Sequence, residues 1–226
     1  MIWLLKKLAS KFPSRVQQEL KRWHFWRQLH FGTFATSEPE YARLPSWVGE
    51  GDWVVDVGAN VGHYTIRLSQ LVGKSGRVFA FEPVPENFEL LVSNVSTVCV
   101  QNVTLFNAAI SSQTAVMGMS TPQFESGLVN YWMAALTPVG GQLEVLTLTL
   151  DSIALPKCVT LIKIDVEGHE LSALQGMQGV LRRDHPRLIV EGTSDEVLAF
   201  LRDLGYECSH IPQSPNRTFY VPHGIA

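Results

Sequence analysis

Hydrophobic and polar positions along this chain follow two regimes that meet near residue 50. Upstream, Trp3, Leu4, Leu5, Leu8, Phe12, Trp23, Phe25 and Trp26 alternate with Lys6, Lys7, Lys11, Arg15, Lys21, Arg22 and Arg27. This mixture predicts two helices broken around Pro13, whose ring removes a backbone donor. Residues 31–40 read as a connector. Downstream, unbroken apolar runs of strand length alternate with helically spaced stretches. Residues 53–57 lack polar alternation, the mark of a strand buried on both faces. A helix is predicted over 63–71, Gly73 and Gly76 turn the chain, and a strand follows over 77–82 until Pro83 stops it. A helix over 86–95 and a strand over 103–110 come next.

Residues 111–150 are less regular. Short β-like runs at 115–119 and 143–150 flank a loop holding Phe124, Ser126, Tyr131 and Trp132, placed where an insertion would sit above the sheet and meet a substrate. The two aromatic side chains Tyr131 and Trp132 suit stacking on a sugar ring and core packing equally. The alternation then resumes: strand 160–166, helix 170–183, strand 187–191, helix 195–204, and closing strands near 206–211 and 218–221. Strand and helix repeated with right-handed crossovers imply a mainly parallel sheet whose site lies at the carboxyl ends of the strands. The expected division is an N-terminal helical arm over 1–50 and one α/β domain over 51–226.

The segment VVDVGANVGHYT carries the first chemical signal. An apolar strand runs straight into a glycine loop and a helix start, where the backbone turns sharply and unpaired N–H groups face outward. The dinucleotide pattern G-x-G-x-x-G is not met, because counting from Gly58 places Asn60 and His63 at its later glycines. Glu82 ends the second strand, where a carboxylate can accept from both hydroxyls of a ribose. Asp56, on the first strand, would repel a pyrophosphate and welcome an amino group. An adenosine bearing an amino acid satisfies both acids. The alternative is a capping role for Asp56 and a solvated Glu82.

Bulk composition narrows the choice further. The 226 residues, 46% hydrophobic and 17% charged, suffice for one full α/β domain. The net charge of -3 gives no global positive field for nucleic acid or anionic membrane. Cys99, Cys158 and Cys208 are odd in number and lack zinc spacing, so neither a disulfide framework nor a structural metal is expected. In the opening MIWLLKKLASKF the lysines follow an apolar run too short for a signal core or a membrane span. A soluble, cytoplasmic protein is the expectation. The arm reads as packing on the main domain or on a sister subunit in a homo-oligomer; a substrate lid and peripheral membrane contact through residues 1–30 stay open.

Four segments in this order, DVGANVGHYT, FEPVPENFELLVSN, NAAIS and KIDVEGHELSALQG, resemble the FkbM family of class I methyltransferases. The resemblance spans about residues 52–192 and leaves the arm uncovered. It implies a Rossmann-like α/β fold, a mostly parallel seven-stranded sheet of order 3-2-1-4-5-7-6 with helices on both faces. It also implies S-adenosyl-L-methionine as cofactor, with S-adenosyl-L-homocysteine as product, and methylation of a hydroxyl on a sugar, glycan or natural product. By position, Asp56, Gly58, Asn60 and Gly62 would line the methionine and ribose side, Glu82 would hold the ribose diol, and Asn107 and Ala108 would lie along adenine. Ala59, Tyr64 and Thr65 are assigned to the same cofactor loop and helix start. Asn60 stands where class I enzymes often carry glycine, and Asn tolerates unusual backbone angles.

Methyl transfer to a hydroxyl needs the acceptor in line behind the methyl group and a base for its proton. KIDVEGHE is the candidate source. Lys163 and Asp165 share one strand face, and an ammonium inside so apolar a strand calls for a carboxylate partner. Asp165, Glu167 and His169 are the candidate acids and bases there, and Glu191 of the next strand would stand beside Asp165. The pair Asp165 and Glu191 would hold an acceptor sugar or share a proton. A divalent ion there is not favoured, since the spacing does not demand one. Two rivals accompany this reading: an RNA ribose methyltransferase, weakened by the acidic balance, and a domain that binds cofactor without catalysis.

Overall fold

A computed structural model describes residues 12–98, 101–122, 124, 129–130, 133–137 and 140–222. In chain order the elements are α1 (Ser14–His30), α2 (Pro39–Arg43), β1 (Trp53–Val57), α3 (His63–Val72), β2 (Arg77–Phe81), α4 (Pro85–Val98), β3 (Val103–Phe106), β4 (Ala109–Ile110), β5 (Ala115–Ser120), β6 (Ala135–Thr137), β7 (Leu143–Leu148), β8 (Val159–Ile164), α5 (Glu170–Gln175), α6 (Gln178–Asp184), β9 (Arg187–Glu191), α7 (Asp195–Asp203), β10 (Glu207–His210) and β11 (Asn216–Tyr220).

The main sheet runs β3-β2-β1-β8-β9-β11-β10. Its pairings are parallel except at β11, which is antiparallel to both neighbours. Counted within this sheet alone, the strands follow the implied order 3-2-1-4-5-7-6; numbering over the whole chain differs because four strands are diverted into a second sheet, β4-β7-β5-β6. Period-two alternation divides the central strands between two layers. Val55, Val57, Phe81, Ile162, Ile164 and Leu188 face the helices carrying Leu174, Leu181 and Leu201. Val54, Val78, Leu161 and Ile189 face Leu68 and Val72 of α3 together with Leu44 and Val48. Each fully buried Leu of this kind stabilises the fold by about 2 kcal/mol. Residues ahead of position 51 therefore complete one face of the core.

The described part of the arm packs on the domain. Phe25 and Leu29 of α1 join Phe34, Leu90 and Leu91 in one apolar cluster, and Gln18 Nε2 donates to the Glu86 carbonyl at 2.5 Å. The outer face of the arm leaves Phe12, Val16, Leu20, Trp23, Trp26 and Phe31 exposed. The helix expected before Pro13 lies outside the described residues, as do Ser126, Tyr131, Trp132 and Cys99. Cys158 and Cys208 carry free, exposed thiols. Among the described residues no helix is long and apolar enough to cross a membrane.

Two elements depart from the sequence pattern for visible reasons. The single strand expected over 103–110 is split, because Asn107 Nδ2 donates to the carbonyls of Glu82 (2.9 Å) and Pro83 (3.1 Å) and turns the chain out of the main sheet. The single helix expected over 170–183 breaks at Gly176, where a Cβ would stand 1.8 Å from the Ser111 carbonyl oxygen. Asp151 then caps the restarted helix α6, accepting from the N–H groups of Gly179 (2.8 Å) and Val180 (2.9 Å). Asp151 lies in a 3-10 turn, Leu150–Ser152, at the end of the run expected to be strand through 150.

Candidate active site

Three parallel strands end together and are tied by their main chains. Gly58 has φ 81°, and a Cβ there would sit 1.8 Å from the Asp165 carbonyl oxygen. Only glycine allows so close a crossing of β1 and β8 ends. The N–H groups of Gly58 and Ala59 both donate to the Phe81 carbonyl (3.0 and 2.9 Å), and Asp165 N–H donates to the Val57 carbonyl at 3.0 Å. Asn60 takes the left-handed conformation at φ 51°, which aims its N–H at Glu82 Oε2, 2.8 Å away. Gly62, at φ 100°, then opens α3.

A cavity of about 300 Å³ lies over these strand ends. Gly58, Asn60, Glu82, Pro83, Val84, Ala109 and Ile110 form one side of its lining. Glu38, Asp165, Val166, Glu167 and Glu191 bring acids to it, and Met119, Ala134 and Leu136 close it from the second sheet. A second cavity of about 310 Å³ shares Glu38, Gly58, Asn60 and Asp165 with the first and adds Ala59, Asp56, His63, Tyr64 and Lys163. The two adjoin at the glycine loop.

Glu82 is the best-defined acid. Its oxygens accept one backbone N–H each, Asn60 at Oε2 and Val84 at Oε1 (2.9 Å). Burial lifts its pKa to about 7 even though those hydrogen bonds pull downward. Burial also lifts Asp56 to about 6, opposed by Thr65 and Lys163; Thr65 Oγ1 donates to Asp56 Oδ2 at 2.5 Å. Lys163, 2% exposed, pairs with Asp165 Oδ2 at 3.0 Å and sits 5.0 Å from the Tyr64 ring centre. Burial alone would lower this ammonium, but Asp165 and Asp56 hold it above its ordinary value.

Glu191 stands next to Asp165, because the parallel register that pairs Ile164 with Val190 sets them side by side at the strand ends. Burial, then the charge of Asp165, pushes Glu191 up to about 7. Glu191 is thereby poised to exchange a proton near neutrality. Glu167 lines the same cavity in a left-handed conformation, φ 45°, a strained geometry common at functional sites. Burial and then Asp165 raise its pKa.

Not every candidate residue faces the cavities. Asp56, Gly58, Ala59, Asn60, Tyr64, Glu82, Asp165, Glu167 and Glu191 line one or both. Gly62, Thr65, Asn107 and Ala108 line neither: Thr65 holds Asp56, Asn107 holds the β2 turn, and Ala109 and Ile110 occupy the wall expected of Asn107 and Ala108. His169 lines neither and turns instead to Ser111 Oγ, 2.9 Å from its Nε2. Glu38 carries no signal in the sequence pattern. It lies in the connector, accepts from Tyr64 Oη at 2.6 Å and from Asn216 Nδ2 at 2.9 Å, and lines both cavities. Among the described residues no group of three or more His, Cys, Asp and Glu side chains is arranged to hold a metal ion.

Comparison with known proteins bears on this geometry. A family model described as the methyltransferase FkbM domain matches residues 56–208. The hexuronic acid methyltransferase AglP of Haloferax volcanii is 29% identical over 137 residues, covering 59% of this chain and 53% of that protein. Methyltransferase 1 of Beauveria bassiana is 25% identical over 148 residues, covering 57% and 59% respectively. The chain thus spans a little over half the length of these relatives. Among solved structures, methyltransferase FkbM from Methylobacillus flagellatus matches with a TM-score of 0.54 at 19% identity, over 81% of this chain and 50% of that one. That likeness shows a shared α/β fold.

Proposed function

The chain belongs to the FkbM methyltransferase domain family, and on that premise we propose that it moves a methyl group from S-adenosyl-L-methionine to a hydroxyl of a sugar, glycan or related small molecule. The observation that carries the reading is the state of Glu82. Its carboxylate is buried at the cavity wall, and each oxygen accepts one backbone N–H, which leaves further acceptor capacity for two hydroxyl donors. A ribose diol fits that demand. Pro83, Val84, Ala109 and Ile110 supply an apolar wall for a flat base, while Asp56, Tyr64 and Lys163 in the adjoining cavity suit the two charges of an amino acid.

When bound, such a cofactor supplies a methyl group made electrophilic by its sulfonium. The chain's own residues supply the rest. Asp165, fixed by Lys163 and by its N–H on Val57, orients an acceptor hydroxyl, and Glu191, with a pKa of about 7, takes up its proton at the carboxylate oxygen. A base poised near the working pH suits that role. The Haloferax relative, named a hexuronic acid methyltransferase, supports a carbohydrate substrate. Calorimetry with S-adenosyl-L-homocysteine tests the cofactor site: Glu82→Gln should weaken binding by about 2–3 kcal/mol, roughly 30- to 150-fold, because charge-assisted bonds to both hydroxyls are lost. Unchanged affinity in a folded Glu82→Gln protein would refute the assignment.

A further inference from the structure

Helix α1 is apolar on two opposite sides, and the domain uses one of them. Phe25 and Leu29 face inward to Phe34, Leu90 and Leu91. Val16, Leu20 and Trp23, spaced four and three residues apart, form a stripe on the other side, with Trp26 at its edge and Phe12 and Phe31 at the two ends of the helix. These six side chains are 40–69% exposed. Single apolar residues on a surface are ordinary, but two tryptophans and two phenylalanines gathered along one helix mark a contact surface.

Positive charge runs alongside the stripe. Arg15 and Arg27 are exposed and Arg22 is half-buried, and the Arg27 guanidinium lies over the Trp23 ring, 5.3 Å from its centre. Residues 1–31 hold seven Lys and Arg against one acid, Glu19, a net of +6 in a chain whose total is -3. The remaining residues therefore carry -9. An arm so opposite in sign to its own domain has a local positive field that the whole-chain charge conceals.

We propose that this outer face of α1 is a docking surface for an anionic lipid bilayer, with the helix lying flat in the headgroup region. Indole rings carry an apolar body and a polar N–H, which suits that boundary, and arginine stems lie along apolar surface while their heads reach lipid phosphates. A second copy of the arm is a poorer occupant, because a two-fold pairing would set Arg15, Arg22 and Arg27 against their own counterparts. The docking face is separate from the transferase reading: none of these apolar or arginine side chains lines either cavity.

The test sediments the full chain with vesicles of phosphatidylcholine alone or mixed with about one-third phosphatidylglycerol. Binding is expected to be at least roughly tenfold tighter to the anionic vesicles, and to weaken as NaCl rises from ~0.05 to ~0.5 M. Leu20→Ser with Trp23→Ser should lower that affinity roughly tenfold, while thermal unfolding and calorimetric binding of S-adenosyl-L-homocysteine stay close to those of the parent chain. Arg15→Glu with Arg27→Glu should remove the preference for anionic vesicles, and decides the matter if the serine variant fails to fold. Equal binding to the two vesicle types, or anionic binding that the folded variants retain, overturns the proposal. So does an absence of vesicle binding; if the parent chain then sediments as an oligomer that the serine variant dissolves, the face belongs to a sister subunit.

Discussion

Gly58 and Gly168 share nearly the same backbone conformation, φ 81° and 85°, but not the same surroundings. A Cβ on Gly168 meets nothing within 4 Å, whereas one on Gly58 meets the Asp165 carbonyl oxygen at 1.8 Å and its carbon at 2.9 Å. Gly168→Ala should cost only the left-handed strain, about 1 kcal/mol. Gly58→Ala carries the same strain, and the two backbones must also part by about 1.5 Å to reach ordinary contact. That separation breaks or stretches the Asp165–Val57 and Gly58–Phe81 hydrogen bonds, each worth about 1 kcal/mol. With the steric cost of about 1–3 kcal/mol, the total reaches about 4 kcal/mol or more, a large part of an ordinary stability of about 5–15 kcal/mol. At roughly 2–4 °C per kcal/mol, thermal unfolding should fall by roughly 3 °C for Gly168→Ala and by 10 °C or more for Gly58→Ala. Calorimetry below the melting range should find S-adenosyl-L-homocysteine binding lost only in Gly58→Ala. Equal midpoints for the two variants would refute the close-crossing account.

Two further outcomes are expected. Asp165→Asn and Lys163→Met should each cost about 2–3 kcal/mol after allowance for the 32% exposed carboxylate; urea denaturation of the double variant should show a loss smaller than the two together, and strict additivity would deny the pair. Asp56, Glu82 and Glu191 have folded pKa values raised to about 6, 7 and 7. Their contribution favours the fold fully below the unfolded carboxyl range and is lost as pH rises through 6 to 7. His63 and His169, lowered by burial, act in the opposite sense below their ordinary value. The urea midpoint of the cofactor-free protein should therefore fall between pH 6.5 and 8 and do so less steeply in Glu82→Gln. A midpoint that climbs over that window would contradict the burial of these acids.

The parts legible in the sequence are those fixed by local period and short-range chemistry. The unbroken run WVVDV is β1, RLIVE is β9, and the lysine at 163 has the carboxylate partner two residues along that its burial demanded. The carboxyl pair Asp165 and Glu191 follows from adjacency of parallel strands. What escaped the sequence depends on distant partners. VTLFNAAI reads as one strand because nothing in it signals that Asn107 will reach the Glu82 and Pro83 carbonyls. Glu38 and Glu40 sit in a connector without periodicity, and their partners Ser214 and Asn216 lie more than 170 residues away.

Those last contacts bear on how the domain tolerates trimming. Glu40 is fully buried and takes hydrogen bonds from Ser214 Oγ and Asn216 Nδ2, while Asn216 also donates to Glu38. All four residues fall outside the span 56–208 that defines family membership, although Glu38 borders both cavities. The span that matches the family is therefore not a portable unit. A fragment cut to them would uncover Tyr64 and the Leu44 side of the core, and grafting another family member's entry segment would require exchanging its terminal hairpin as well.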